Sequence, residues 1–193
     1  MGKYLGNKPS LAEAEYLDWV FISKIVGAGH AFAAFDGINS DFDEYKFVVN
    51  VHPGTDNVVL KWQCNAAGQT GFNETITSTA VRTYHQEDGS GGAIDYRTGE
   101  DQEQGTSGDY MADGQGGDAD QIVASVLTLY QPSSTTYVKH FTVRTSVMMS
   151  SDGIKEERHA GYVNTTSAID EVHFFYSSGT IAAGTITMYG LSK

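Results

Sequence analysis

Six histidines, one cysteine and a crowded run of acids are the side chains of this chain that could do chemistry. The histidines are His30, His52, His85, His140, His159 and His173. None falls in an H-x-H, H-x3-H or C-x2-C frame, so the spacing that gathers zinc ligands is missing. A nucleophilic serine needs a strained elbow that aims its hydroxyl at a base, and no G-x-S-x-G frame occurs. Cys64 falls on an apolar row of its segment, where a free thiol behaves as a small hydrophobe. Two carboxylates at a set separation could hydrolyse a glycosidic bond. Most acids here, however, lie among glycines, a poor platform for geometry that must hold to about 0.5 Å. Asp41-x-Asp43, Asp109, Asp113 and Asp118-x-Asp120 offer hard oxygen ligands for Ca2+. No EF-hand frame closes around them, and a solvated, self-repelling acidic segment is the plainer account. No catalytic residue, cofactor or metal is expected. Tyrosine is favoured where sugars or proteins are gripped. Tyr96, Tyr110, Asp109 and Asp113 are therefore the candidate binding residues of a surface loop, whereas Tyr84 reads as part of a strand.

Those acids are concentrated. Residues 86–121 hold ten acids and one base, Arg97, and so carry −9 of the net charge of −12. The same segment takes nine of the 22 glycines, and its only sizeable apolar groups are Ile94, Tyr96, Tyr110 and Met111. It cannot offset its own ordering entropy as a separate core. The expectation is a long surface loop or pair of loops inserted into one domain. With 24 acids against 12 bases, the phosphate-backbone term of nucleic-acid binding would be repulsive, so no nucleic-acid partner is expected. The 193 residues suit one domain. No stretch approaches the ~20 apolar residues of a membrane span, and no apolar run follows Lys3 as a secretory leader would require. Membrane insertion is not expected.

Around the acidic segment the side chains alternate with period two. Tyr45, Phe47, Val49 and Val51 form one row, Val58, Leu60, Trp62 and Cys64 another. Tyr137, Phe141, Val143 and Val147 repeat the pattern, with Lys139 and Thr145 interrupting the apolar row, and Val172, Phe174 and Tyr176 close it. Thr75 to Tyr84 is β-branched, and Ile122 to Tyr130 is apolar on both faces, as a central strand would be. Turn residues separate these runs, among them Pro53-Gly54-Thr55-Asp56-Asn57 and Asp152-Gly153. About nine short strands at this spacing predict an all-β, two-sheet antiparallel β-sandwich over residues 19–193. Ser10-Leu-Ala-Glu13 has capping-box spacing, which predicts a helical turn over Leu11 to Leu17 at the end of an N-terminal arm, 1–18.

The C-terminal stretch Ile169 to Leu191, with Ser177-Ser178-Gly179 and a closing Tyr189-Gly190-Leu191, resembles the last hairpin of a family of small bacteriophage virion proteins. Phe35-Asp-Gly-Ile38, Phe42-Asp-Glu-Tyr-Lys-Phe47, the Pro53-Gly-Thr-Asp56 turn and Gln131-Pro-Ser-Ser134 are similar to that family's turns and strands, in the same order. The likeness covers roughly residues 19–191. It implies a jelly-roll-like sandwich in a tail fibre, tail-tip part or head decoration, often trimeric and carrying no catalytic residue. Met1-Gly-Lys-Tyr-Leu-Gly-Asn7 is similar to the opening of phage fibre proteins, where the arm docks onto the virion. Lys3, Tyr4, Leu5, Leu11 and Tyr16 are the expected anchoring residues. The partners implied are other tail or capsid subunits, further copies of the chain and a host surface glycan. The chain departs from the family in being short and in its long acidic segment. A free lectin-like module is the alternative.

Overall fold

Alternation of inward apolar with more exposed side chains builds the strands through Phe47, Trp62, Leu127, Phe141 and Phe174 in the computed structural model, which describes residues 18–191. The predicted helical turn over 11–17 and the anchoring residues Lys3, Tyr4, Leu5, Leu11 and Tyr16 lie outside the described residues. No helix occurs among the described residues, and every strand pairing there is antiparallel. None of it is a helix long and apolar enough to cross a membrane.

The described residues form thirteen strands where the periodicity predicts about nine. They are β1 (Trp19–Val26), β2 (Phe32–Phe35), β3 (Glu44–Pro53), β4 (Val58–Ala66), β5 (Ile76–Gln86), β6 (Gly92–Tyr96) and β7 (Glu103–Gly105). Then follow β8 (Asp109–Gln115), β9 (Val123–Tyr130), β10 (Lys139–Met149), β11 (Gly153–Val163), β12 (Ile169–Tyr176) and β13 (Ile181–Leu191). One arm of the sheet runs β1-β13-β3-β9-β10-β11-β5, with β6 and β7 both on the far edge of β5. The other arm runs β8-β4-β12-β2, and among the described residues its strands join the first through one bridge, Met149 to Gln115.

The arms face each other across the core. Trp62 of β4 meets Phe141 of β10 edge-on at 4.8 Å between ring centroids. Phe47 of β3 packs on Phe174 of β12 at 5.3 Å and on Phe35 of β2 at 5.5 Å. Burial of these rings and of the aliphatic side chains around them favours folding, at about 25 cal/mol for each Å² removed from water. The two polar interruptions on the inward row of β10 are buried as well, and both are satisfied. Lys139 Nζ donates to the carbonyls of Tyr137 (2.7 Å) and Thr165 (3.1 Å), and Thr145 Oγ1 meets Ser125 Oγ at 2.6 Å.

Pairing of β13 with β3 depends on one glycine. Gly184 has φ +98°, and a Cβ there would strike the Asn50 carbonyl oxygen and sit 2.7 Å from Val51 Cα. Gly184→Ala is expected to cost about 1–3 kcal/mol through strained backbone alone. The check is a lower urea midpoint at an unchanged denaturant slope.

Residues 86–121 are corrected from a surface loop or pair of loops to three strands and their turns. β8 belongs to the core: Met111, Ala112 and Gln115 are buried, and Gln115 donates from Nε2 to the Val51 carbonyl at 3.0 Å while accepting from Tyr176 Oη at 2.8 Å. Glycine and aspartate hide this row, because β8 is short and its pairing with β4 shifts register twice.

Candidate functional site

The largest concentration of buried charge lies on the inward row of β11. Lys155, Glu157 and His159 stand at alternate positions, all on the core side, while Ile154, Glu156 and Arg158 point out. Two elements from residues 86–121 cover that row. The turn after β6 is held to β5 by Arg97 N donating to the Ala80 carbonyl at 3.0 Å, and it turns Glu100 inward. β8 brings Asp113, whose backbone N–H donates to Glu157 Oε2 at 3.0 Å.

The charges pair in a chain. Arg97 Nε donates to Glu100 Oε1 at 2.6 Å and its guanidinium reaches Asp95 at 3.6 Å. Lys155 Nζ lies 3.3 Å from Glu157 Oε1 and 3.6 Å from Asp113 Oδ2, and it donates to the Asp113 carbonyl. Burial pushes the Glu157 carboxyl up to about 7 against the pull of Lys155, and raises Glu100 against the pull of Arg97. Burial alone lowers His159 to about 4, so its imidazole is neutral. Four polar atoms here have no hydrogen-bond partner: Glu100 Oε2, Glu157 Oε1 and both ring nitrogens of His159.

A second feature is the outward face of the β9-β10-β11-β5 arm. Small side chains leave a shallow trough of about 550 Å³ lined by Thr79, Val81, Val126, Thr128, Thr142 and Ala160. Arg144 and Arg158 project at its margin and share Glu156 Oε1, at 2.9 and 2.8 Å. Ile94 and Tyr96 of β6, both well exposed, extend the same face beyond β5 through pairing with Thr83 and Val81.

The predicted loop residues do not converge. Tyr96 is 55% exposed and donates from Oη to Asp101 at 2.5 Å. Tyr110 is half-buried with Lys61 Nζ over its ring at 4.5 Å. Asp113 belongs to the buried charge cluster. Asp109 is corrected from a surface-loop position to a fully buried one: it accepts from Ser78 Oγ at 2.6 Å and faces Trp62 across the β4–β8 ladder. Burial raises its carboxyl to about 7, with the Ser78 hydroxyl and the Trp62 indole opposing. Its acidity and glycine-rich surroundings suggest exposure, but the register of β8 turns it inward. Cys64 is buried as its row predicts, and burial pushes its thiol up.

Sequence reasoning missed Glu100, Lys155, Glu157 and His159. One signal was available, because Glu157-x-His159 is the i, i+2 spacing that puts two ligand-type side chains on one face of a strand. The strand itself was hidden, since charges occupy both of its rows and hydropathy selects neither. Comparison of the chain with family models, with curated proteins and with solved structures finds no match.

Proposed function

We propose that this chain is a non-enzymatic bacteriophage virion structural protein, a tail-fibre or tail-tip component built as a jelly-roll-like sandwich. The observation that carries the reading is the bare outward face of the long arm. A four-strand patch of valine, threonine and alanine side chains, with Ile94, Tyr96 and Ile154 exposed around it, is a surface suited to another protein face. A second copy of the chain is the occupant that suits it. Arg144 and Arg158 are two of only 12 bases in a chain of net charge −12, so the margin of the trough complements the acidic surface of a neighbour. The resemblance of residues 19–191 to phage virion proteins supports the same reading and favours a trimer.

Strand β1 follows directly on the N-terminal arm, and it supports an anchoring role. Its outer edge has no strand partner among the described residues, and Val20, Phe21 and Val26 are exposed along it. An open apolar edge accepts an added strand. Function by this mechanism is attachment: many copies on one particle raise effective concentration, so each contact can be weak. A head-decoration protein of the same family would use the same surfaces.

Light scattering on the full chain tests the reading. A trimer is expected at high concentration, and Val126→Arg, which places a charge in the trough, is expected to give monomer with an unchanged strand signal by circular dichroism. Deleting Met1 to Pro9 is expected to leave a folded protein that no longer enters particles. Monomer at every concentration overturns the assembly face, and unchanged incorporation overturns the arm as anchor.

A further inference from the structure

We propose that Glu100, Glu157 and His159 bind one divalent transition-metal ion, which ties the turn between β6 and β7 to β11. The three are 3%, 0% and 2% exposed, and one donor atom of each lies within 4.8 Å of the others. This inference is independent of the virion reading.

The argument rests on what the site's atoms require. A buried polar group without a partner is costly, and four such atoms gather here. Glu100 Oε2, Glu157 Oε1 and one lone pair of the neutral imidazole are all acceptors. A proton can link only two acceptors at a time, whereas a metal ion takes all three. Side-chain adjustment of a few tenths of an ångström to about 1 Å would bring them to the ~2.0–2.2 Å bonds of such an ion.

The surroundings carry a net negative charge. Asp95, Glu100, Asp113 and Glu157 face Arg82, Arg97 and Lys155 within the network, with His159 neutral. That leaves one negative charge in excess before an ion is added. Arg97 occupies Glu100 through Oε1 and the Asp113 N–H occupies Glu157 through Oε2, so both carboxylates are oriented with their other oxygen free of hydrogen bonds. Such outer contacts are what fix ligating carboxylates in known centres. Lys155 is the competitor, since it already lies 3.3 Å from Glu157 Oε1. Imidazole with two carboxylates suits Zn2+ or Mn2+ better than Ca2+, which asks for six or more oxygens.

The test strips the full chain with a chelator and titrates it with Zn2+ by calorimetry, with metal content read by mass spectrometry. One ion per chain is expected, together with a higher thermal midpoint. Outer contacts alone are worth ~10–100-fold in affinity, so His159→Gln and Glu157→Gln are each expected to weaken binding by at least ~100-fold. Asp118→Asn with Asp120→Asn, on the exposed acidic surface, is expected to change nothing. Absence of Zn2+ uptake by the wild-type chain overturns the proposal, and so does equal binding by wild type and His159→Gln. Should the variants not fold, Co2+ on the wild-type chain decides: an intense visible band of a four- or five-coordinate ion supports the site, and the weak spectrum of hydrated Co2+ overturns it.

Discussion

Trp62→Ala is expected to destabilise the fold by about 3–5 kcal/mol, the range for truncating a buried tryptophan. For a domain of this size that lowers the thermal midpoint by roughly 10 °C, at ~2–4 °C per kcal/mol. The site explains the size of the effect. Trp62 is fully buried on β4, touches Phe141 edge-on across the core and pairs with Phe174 on β12 and Asp109 on β8. It therefore contacts the opposite arm as well as both of its strand neighbours. Among the described residues the strands of the two arms share one backbone bridge, Met149 to Gln115, with a second, His30 to Ile181, just before β2, so side-chain packing more than the ladder holds them face to face. Trp62→Phe should recover much of the loss, because a ring still meets Phe141. Differential scanning calorimetry checks both variants, and a midpoint shift under about 2 °C for the alanine would remove Trp62 from the centre of the core.

Asp109→Asn is expected to stabilise the protein at pH 8 and to do so progressively less as the pH falls. The carboxyl rises from an ordinary 3.8 to about 7 on folding. Between those values the folded state holds a proton that the unfolded state has released. Stability therefore falls as pH rises through this window, and above about 7 the full penalty of a buried carboxylate is present. Each pKa unit corresponds to about 1.4 kcal/mol. The asparagine keeps an acceptor for Ser78 Oγ but adds a buried NH2, so a net gain of about 1–3 kcal/mol at pH 8 is expected. Near pH 4 the native carboxyl is already neutral and the gain should vanish. Urea denaturation at pH 4.5 and pH 8 reads the difference directly. A gain that does not change with pH would mean that the Asp109 carboxyl titrates alike in the folded and unfolded chains, so that burial does not raise it.

Much of the sheet was legible before any coordinates. The rows through Phe47, Trp62, Phe141 and Phe174 announce themselves by period two and are buried where that period places them, except Tyr137, which precedes β10 and is exposed. Lys139 and Thr145 broke a row without moving it, because carbonyls and a serine hydroxyl were at hand to satisfy them. Reading failed where charge replaced hydrophobicity as the buried group. β11 alternates Lys155, Glu157 and His159 with Glu156 and Arg158, so neither row looks like an interior. β8 disguises Met111 and Ala112 among aspartates and glycines, and composition there argues for solvent.

What the amino-acid order determined by itself is an antiparallel all-β domain with an interior of aromatic and β-branched rows, since alternation is a local property of neighbouring residues. Which charged row of β11 turns inward was decided by tertiary structure alone. Glu100 and Asp113 reach Glu157 only after β6, β7 and β8 have found their partners. The ion pairs and the desolvation that perturb this cluster exist between strands distant in the chain, and no local pattern encodes them.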